Sequence, residues 1–407
     1  MLRSLFTAIS GLTNHQTRMD VIGNNIANVN TYGYKSGRAN FQDMMSQTLS
    51  GASPNQSGRG GMNPKQIGLG VNIAAIDNIH TQGALQSTGV MPALAIQGDG
   101  FFVLNDGSRD LYTRDGTFRL DERGNFVASN GMRVQGWPAV GGAIDTTLPI
   151  QGINIPVAAQ MQARATADVT IIGNLDSRVP VGTTYSNNFQ VYDSLGDSHS
   201  VLITYTKTGA DTWDWAASGA DITSIWPGTN MGTINFDVNG QWLSQTGTLQ
   251  LDLANGAATP QMINPDLTAM TQLANPNTVN LVNQNGFAPG TLVSYNISNS
   301  GIINGVFDNG IIETLGQVAM ARFNNNGGLM KEGDNLWAES ANSGVPLVGT
   351  ANTGARGSIQ AGSLEMSNVN LAQEFSDMII TQRGFQANSR VITTSDEILQ
   401  ELINLKR

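Results

Sequence analysis

The 407-residue chain contains no cysteine, so disulfides, thiolate nucleophiles and thiolate metal sites are excluded. Stability must come from packing or from assembly. Charged residues make up only 13%, and the surface is carried by Asn, Gln, Ser, Thr and Gly. The net charge of −10 leaves little basic character for holding a nucleic-acid backbone. No apolar run reaches the roughly 18 residues of a membrane span. The N-terminus carries Arg3 but has no continuous apolar stretch and no small-residue cleavage site, so no cleaved signal peptide is expected. No repeat of about 20–50 residues is visible.

Apolar residues are present at 40%, enough for real cores, and their spacing divides the chain. At the front, Leu2, Leu5, Ile9, Leu12, Met19 and Ile26 recur at gaps of three and four, with Gln16 and Gly23 in the seam. At the back, Leu364, Leu371, Met378, Phe385, Ile392 and Leu399 form a seven-residue column, widened by Phe375, Val391, Ile398, Leu402, Ile403 and Leu405. Such columns mark helices whose apolar face meets other helices. The final helix is expected to start near Asn370, a residue suited to capping it. Neither helix is expected to find a partner in the middle of the chain. Isolated helices of this length are marginal in water, so both should fray until an assembly covers them. The competing expectation is an ordinary globular fold that tucks its two ends into a helical hairpin.

Between the helices the period changes. Residues 46–70 are rich in Ser, Gly, Asn, Pro and Gln and read either as a flexible linker or as an extended segment running over neighbouring subunits. From Val71 the period is two, and a series of hairpins is expected around Gly98-Asp99-Gly100, Asp115-Gly116 and Asp121–Asn125. Residues 147–282 read as a separate β unit. There Val201, Ile203 and Tyr205 alternate, as do Trp213 and Trp215, and Asn239-Gly240 is a strong hairpin turn.

Chemistry-bearing motifs are scarce. His15, His80 and His199 lack metal-ligand spacing. Asp193–Asp197 superficially resembles a calcium loop but lacks the ligand series and reads as a turn. Gly98-Asp99-Gly100 is followed by no phosphate-loop lysine, and no nucleophile stands with a base. Neither a metal, nor a cofactor, nor an enzyme activity is expected. Trp213, Trp215 and Trp226 could form a sugar-stacking platform, which would make the chain a secreted carbohydrate-binding protein. Core packing is the stronger reading, because Trp213 and Trp215 share a strand face. Asn24, Asn25 and Asn28 are expected to satisfy groups at a helix end, Gly33 to supply backbone freedom at a turn, and Tyr34 and Lys35 to meet neighbours or solvent.

Asn24, Asn25, Ile26, Ala27 and Asn28, followed by Thr31, Gly33, Tyr34, Lys35 and Phe41, resemble the N-terminal motif of the bacterial flagellar axial proteins, the rod, hook and hook-associated family. Gly98–Leu104, Tyr112–Leu120, Gly131–Pro138, Gln284–Tyr295, Gly333–Trp337, Ser363–Asn370 and Ile380–Ala387 resemble later motifs of that family. The likeness is strong over 1–145 and 283–407, weaker between, and nearest to the hook branch. It implies a mainly β chain with an α-helical terminal domain and a discontinuous architecture. The helical core would be 1–29 and 367–407, an extended linker 30–70, an inner β domain 71–146 and 283–362, and an inserted, barrel-like outer β domain 147–282. It also implies a helical homopolymer that acts as a universal joint between rod and filament. Partners would be further copies of itself, the rod, hook cap and hook–filament junction proteins, and the flagellar type III export apparatus. Residues 46–70 resemble an extension of the distal rod protein, so a rod identity is the alternative; the insertion at 147–282 argues against it.

Overall fold

The computed structural model describes residues 2–55, 60–156, 160–222 and 229–404. They form two compact units. One comprises residues 1–155, 296–304 and 314–407; the other comprises 156–295 and 305–313.

The first unit carries both terminal helices, α1 (Leu2–Ala27) and α2 (Leu371–Asn404), packed against each other. Asn370 caps α2, its Oδ1 accepting from the amides of Ala372 (3.1 Å) and Gln373 (3.4 Å). The seven-residue column therefore begins at Leu371. Leu364 belongs instead to a short strand, Ser363–Glu365, and is buried there.

Residues 46–70, read as either a flexible linker or an extended segment, belong to a long antiparallel ribbon. Strand β1 (Gly37–Asp43) pairs with β4 (Val71–Asn78), and β2 (Ser46–Ser50) pairs with β3 (Lys65–Gly68). A further bridge joins Ser53 to Met62. The root of the ribbon rests on α1. Asn14 donates to the Val71 carbonyl at 2.6 Å, and the Phe41 ring meets His15 edge-on at 5.8 Å. The middle of the chain thus does supply α1 with a partner, contrary to expectation.

The β body of this unit knits the two halves of the chain together. Phe101–Asn105 lies centrally, paired with Asp110–Thr113, Arg133–Val140 and Met320–Arg322. Leu94–Gln97 pairs with Ser358–Ala361, and Leu85–Ser87 with Ser363–Glu365. The turn at Gly98–Gly100 therefore does not close a hairpin; the strand before it pairs with the C-terminal half. Asp121–Asn125 does close one, between Arg119–Leu120 and Phe126–Val127. The core includes Phe101, Val103, Tyr112, Phe323, Leu329 and Trp337.

In the second unit, Thr184–Tyr192, Ser198–Lys207, Thr212–Ser218, Met231–Phe236 and Trp242–Gln245 form an antiparallel meander. A second sheet contains Leu249–Leu251, Gln261–Asp266, Asp168–Asn174, Met270–Thr271 and Asn280–Gln284. One apolar core draws on both sheets. Val201, Ile203 and Tyr205 alternate inward, as do Trp213 and Trp215 across from them, following the period of two. Asn239-Gly240 sits in the predicted turn, with Gly240 at φ +73°.

Candidate assembly interface

Each terminal helix has two faces of different chemistry. The face of α1 buried within the chain is made of Ala8, Gly11, Asn14, Ile22 and Asn25, all but Ile22 small or polar, at helical spacing. On α2 the buried positions are Thr381 and Ser395, flanked by half-buried Met378, Phe385, Ile392 and Leu399. Small residues bring the axes close. A Cβ at Gly11 would lie 2.6 Å from the Asn388 amide nitrogen, and one at Gly384 would lie 2.7 Å from the His15 ring. Polar links fix the register: Arg18 pairs with Asp377 at 3.1 Å, and Asn25 donates to Glu374 at 3.1 Å.

The apolar stripe of α1 lies mostly off that seam. Ile9 is 48% exposed, and Leu5, Leu12, Met19 and Ile26 are half-buried; the Leu2 side chain lies outside the described residues. Phe6, which the stripe did not include, is 67% exposed. On α2 the column splits. Met378, Phe385, Ile392 and Leu399 lean into the seam, while Leu371 and Phe375 stay exposed, Phe375 at 51%. Ile379, Ile380, Val391, Ile398 and Ile403 are exposed as well, so apolar surface runs along much of the helix. Ile379 and Ile380 were not read from the column because they fall outside its register.

The segment after α1 is a network of hydrogen bonds. Asn28 donates to the Asn24 carbonyl (2.9 Å), and Thr31 donates to Asn28 Oδ1 (3.1 Å), closing the helix end. Asn25 pairs with the backbone of Gly37 on both sides, donating to its carbonyl (2.8 Å) and accepting from its amide (2.9 Å). The Tyr34 hydroxyl donates to the same Asn25 oxygen at 3.2 Å. Gly33 has φ +68°, and a Cβ there would lie 2.5 Å from the Asp115 amide nitrogen, so glycine is required twice over.

Lys35 is not a surface contact. Its ammonium donates to Glu365 at 2.6 Å and to the Thr81 carbonyl at 2.8 Å, with both side chains of the ion pair fully buried. Arg114 reaches the other Glu365 oxygen at 3.3 Å and the Gly98 carbonyl at 2.8 Å. The Gly83 amide completes the set at 2.9 Å. One carboxylate near α2 is thus shared by two buried cations from the N-terminal third. Burial pushes Lys35 and Arg114 below their ordinary values, opposed by the charge of Glu365. Asn368 extends the junction, accepting from the Ser36 amide (2.8 Å) and donating to the Ile79 carbonyl (2.7 Å). His80 packs at a tilt against Trp337, with ring centroids 4.8 Å apart. Burial, reinforced by Lys35, Arg114 and Lys331, holds it down at about 4.

The sequence reading assigned no role to Glu365, Arg114 or Asn368, although all three stand in its quoted motifs. Trp213 and Trp215 lie in the core and offer no platform; Trp226 lies outside the described residues.

Four family profiles match. They are described as flagella basal body rod protein (residues 5–35), flagellar hook protein FlgE/F/G D1 domain (95–172), flagellar basal body protein FlaE D2 domain (160–287) and flagellar basal body rod FlgEFG protein C-terminal (360–405). The flagellar hook protein FlgE of Treponema pallidum is 41% identical over the full length of both chains. That of Salmonella typhimurium is 37% identical over 99% of this chain and 100% of its own. The chain belongs to the flagellar hook protein family. The basal-body rod protein FlgG of Bacillus subtilis stands further off, at 33% identity over the full length of both. The chain is a structural subunit of the hook rather than of the distal rod. Helicobacter pylori hook protein FlgE2 shares the fold, with a TM-score of 0.55 at 15% identity over 69% of this chain and 100% of that one. Among the described residues no helix is long and apolar enough to cross a membrane.

Proposed function

We propose that the exposed apolar faces of α1 and α2 are the surfaces through which copies of this subunit polymerise into the hook tube. The observation that carries this reading is the split chemistry of the helix pair. The intrachain seam takes up small and polar side chains together with Ile22 and one edge of the α2 column, and other large apolar side chains, such as Phe6, Ile9, Phe375 and Ile379, stay open to water. A two-stranded ribbon is marginal on its own in water. This one exposes Met44, Met45, Leu49, Met62, Ile67 and Leu69, so its tip runs over neighbouring copies.

In this reading the working domains are the helical core (1–29 and 367–407), the inner β domain (71–146 and 283–362) and the outer β domain (147–282). The tube is a curved universal joint that passes torque from rod to filament. Its helical core supplies tight packing, and polar, water-exchangeable contacts between outer domains let subunits slide as the tube bends. The subunit leaves the cell through the flagellar type III apparatus and works outside it, with rod, cap and junction proteins as its neighbours.

Electron microscopy of the purified chain under polymerising conditions tests this. Short curved tubes support it; dispersed particles at every concentration overturn it. A null mutant is expected to build a rod but no hook; one that lacks the rod as well would contradict the hook role.

A further inference from the structure

We propose that His199 is a protonation-controlled clamp that ties three loops together at one end of the second unit. The residue is the second of the strand Ser198–Lys207 and is buried. Its Nδ1 lies 2.7 Å from Asp221 Oδ2, and its Nε2 lies 3.1 Å from Asp193 Oδ2. A carboxylate only accepts, so two carboxylates require two N–H groups. A neutral imidazole has one, and its second nitrogen would set a lone pair against an oxygen. The geometry therefore belongs to the imidazolium.

Each carboxylate is tied to a different loop. Asp193 Oδ1 accepts from the amides of Leu195 and Asp197, both at 2.9 Å, which builds the turn 193–197. Asp193 Oδ2 also accepts from Asn255 Nδ2 at 2.6 Å. The Asn255 amide is oriented by its own oxygen, which accepts from the Ala257 amide at 3.1 Å. The loop bearing Asn255 is joined to the turn again, where Ser194 Oγ accepts from the Ala258 amide at 2.9 Å. Asp221 belongs to the third segment, 219–222, and its carbonyl accepts from the Asp252 amide at 2.8 Å. The titratable groups around the ring are acidic: Asp193 and Asp221 face it, and Asp197 and Asp252 stand on the flanking loops.

Burial opposes a charged ring here, but the hydrogen bonds and charges of Asp221 and Asp193 outweigh it and raise the His199 value. Asp193, also opposed by burial, is drawn down to about 2 by Asn255, His199 and the turn amides. Because the folded-state value of His199 lies above 6.5, the clamp is fully present below that pH and is lost as pH rises through the raised value. The two arms then part unequally. Asp193 keeps its amide and Asn255 partners. The Asp221 side chain is 32% exposed and can turn to water, releasing segment 219–222.

The test uses the full chain from about pH 5 to about pH 9. Nitrogen-15 shifts of the His199 ring report its protonation, and amide exchange reports the loops. We expect both ring nitrogens protonated at pH values near 6.5. Protection across 219–222, taken relative to the intrinsic exchange rate at each pH, should fall severalfold as the ring deprotonates. Asp221→Asn removes a partly exposed carboxylate and should lower the ring's titration point and abolish the step in exchange while the chain stays folded. A ring that titrates at or below 6.5, a loop whose exchange ignores the ring's titration, or an Asp221→Asn variant that titrates like the parent would overturn the proposal.

Discussion

At the scale of single residues, the junction between the chain's two ends rests on Glu365. It faces two cations that have no access to water, so removing its charge leaves Lys35 and Arg114 buried and repelling each other. Breaking a buried ion network from one side costs on the order of 3–5 kcal/mol. Glu365→Gln should therefore lower the stability of the first unit by about that much in denaturant melts monitored by tryptophan fluorescence. A variant as stable as the parent would remove the junction from this account. His80 gives a pH signature of opposite sense to His199. Its folded-state value of about 4 lies below its unfolded value of 6.5, so protons bind preferentially to the unfolded chain. Stability should fall as pH drops from about 6.5 to about 4, by up to about 3 kcal/mol from this group. His80→Phe should flatten that slope in a pH series of melts. None of this junction was legible from residue types. A lysine next to a turn reads as surface, and its partner stands 330 positions away with no local pattern linking the two.

At the scale of elements, periodicity located both helices and the cap at Asn370 but did not say which face each helix would spend on the other. An apolar column looks the same whether it is covered by the same chain or by another. The decisive signal was the small residues. By propensity alone a glycine weakens a helix, yet in the fold Gly11 and Gly384 are points of close approach. The ribbon's extended course was one of two readings of 46–70, but its strand pairing was not legible, for a related reason. Every residue of β2 and β3 is exposed, so neither face imposes the alternation by which a half-buried strand is recognised. Where strands do bury one face, as at Val201–Tyr205 and Trp213–Trp215, the alternation was plain. The faces can be tested apart. Ile9→Asp places a charge on an exposed surface of α1, so the single chain should keep its circular dichroism and melting temperature yet form no tubes. Phe385→Asp, which puts an unpaired charge in the intrachain seam, should lower stability by about 3 kcal/mol as well as stop assembly. If both variants behave alike in the monomer, the distinction between seam and outer face is wrong.

At the scale of the whole molecule, a chain with few charges and no disulfide leaves large apolar side chains open on both terminal helices and along the ribbon. Such surfaces are liabilities in a free subunit and are explained by a state in which copies cover one another. Removing residues 46–68 should leave both compact units folded by amide exchange, because the paired root of the ribbon is retained, while the tubes formed should differ in length or curvature from the parent's. The most direct measurement is hydroxyl-radical footprinting of Phe6, Ile9, Phe375 and Ile379 in the dispersed chain and in the assembled tube. These side chains should label readily in the free subunit and become protected on assembly; equal labelling in the two states would contradict the claim that the terminal helices complete their packing only in the polymer.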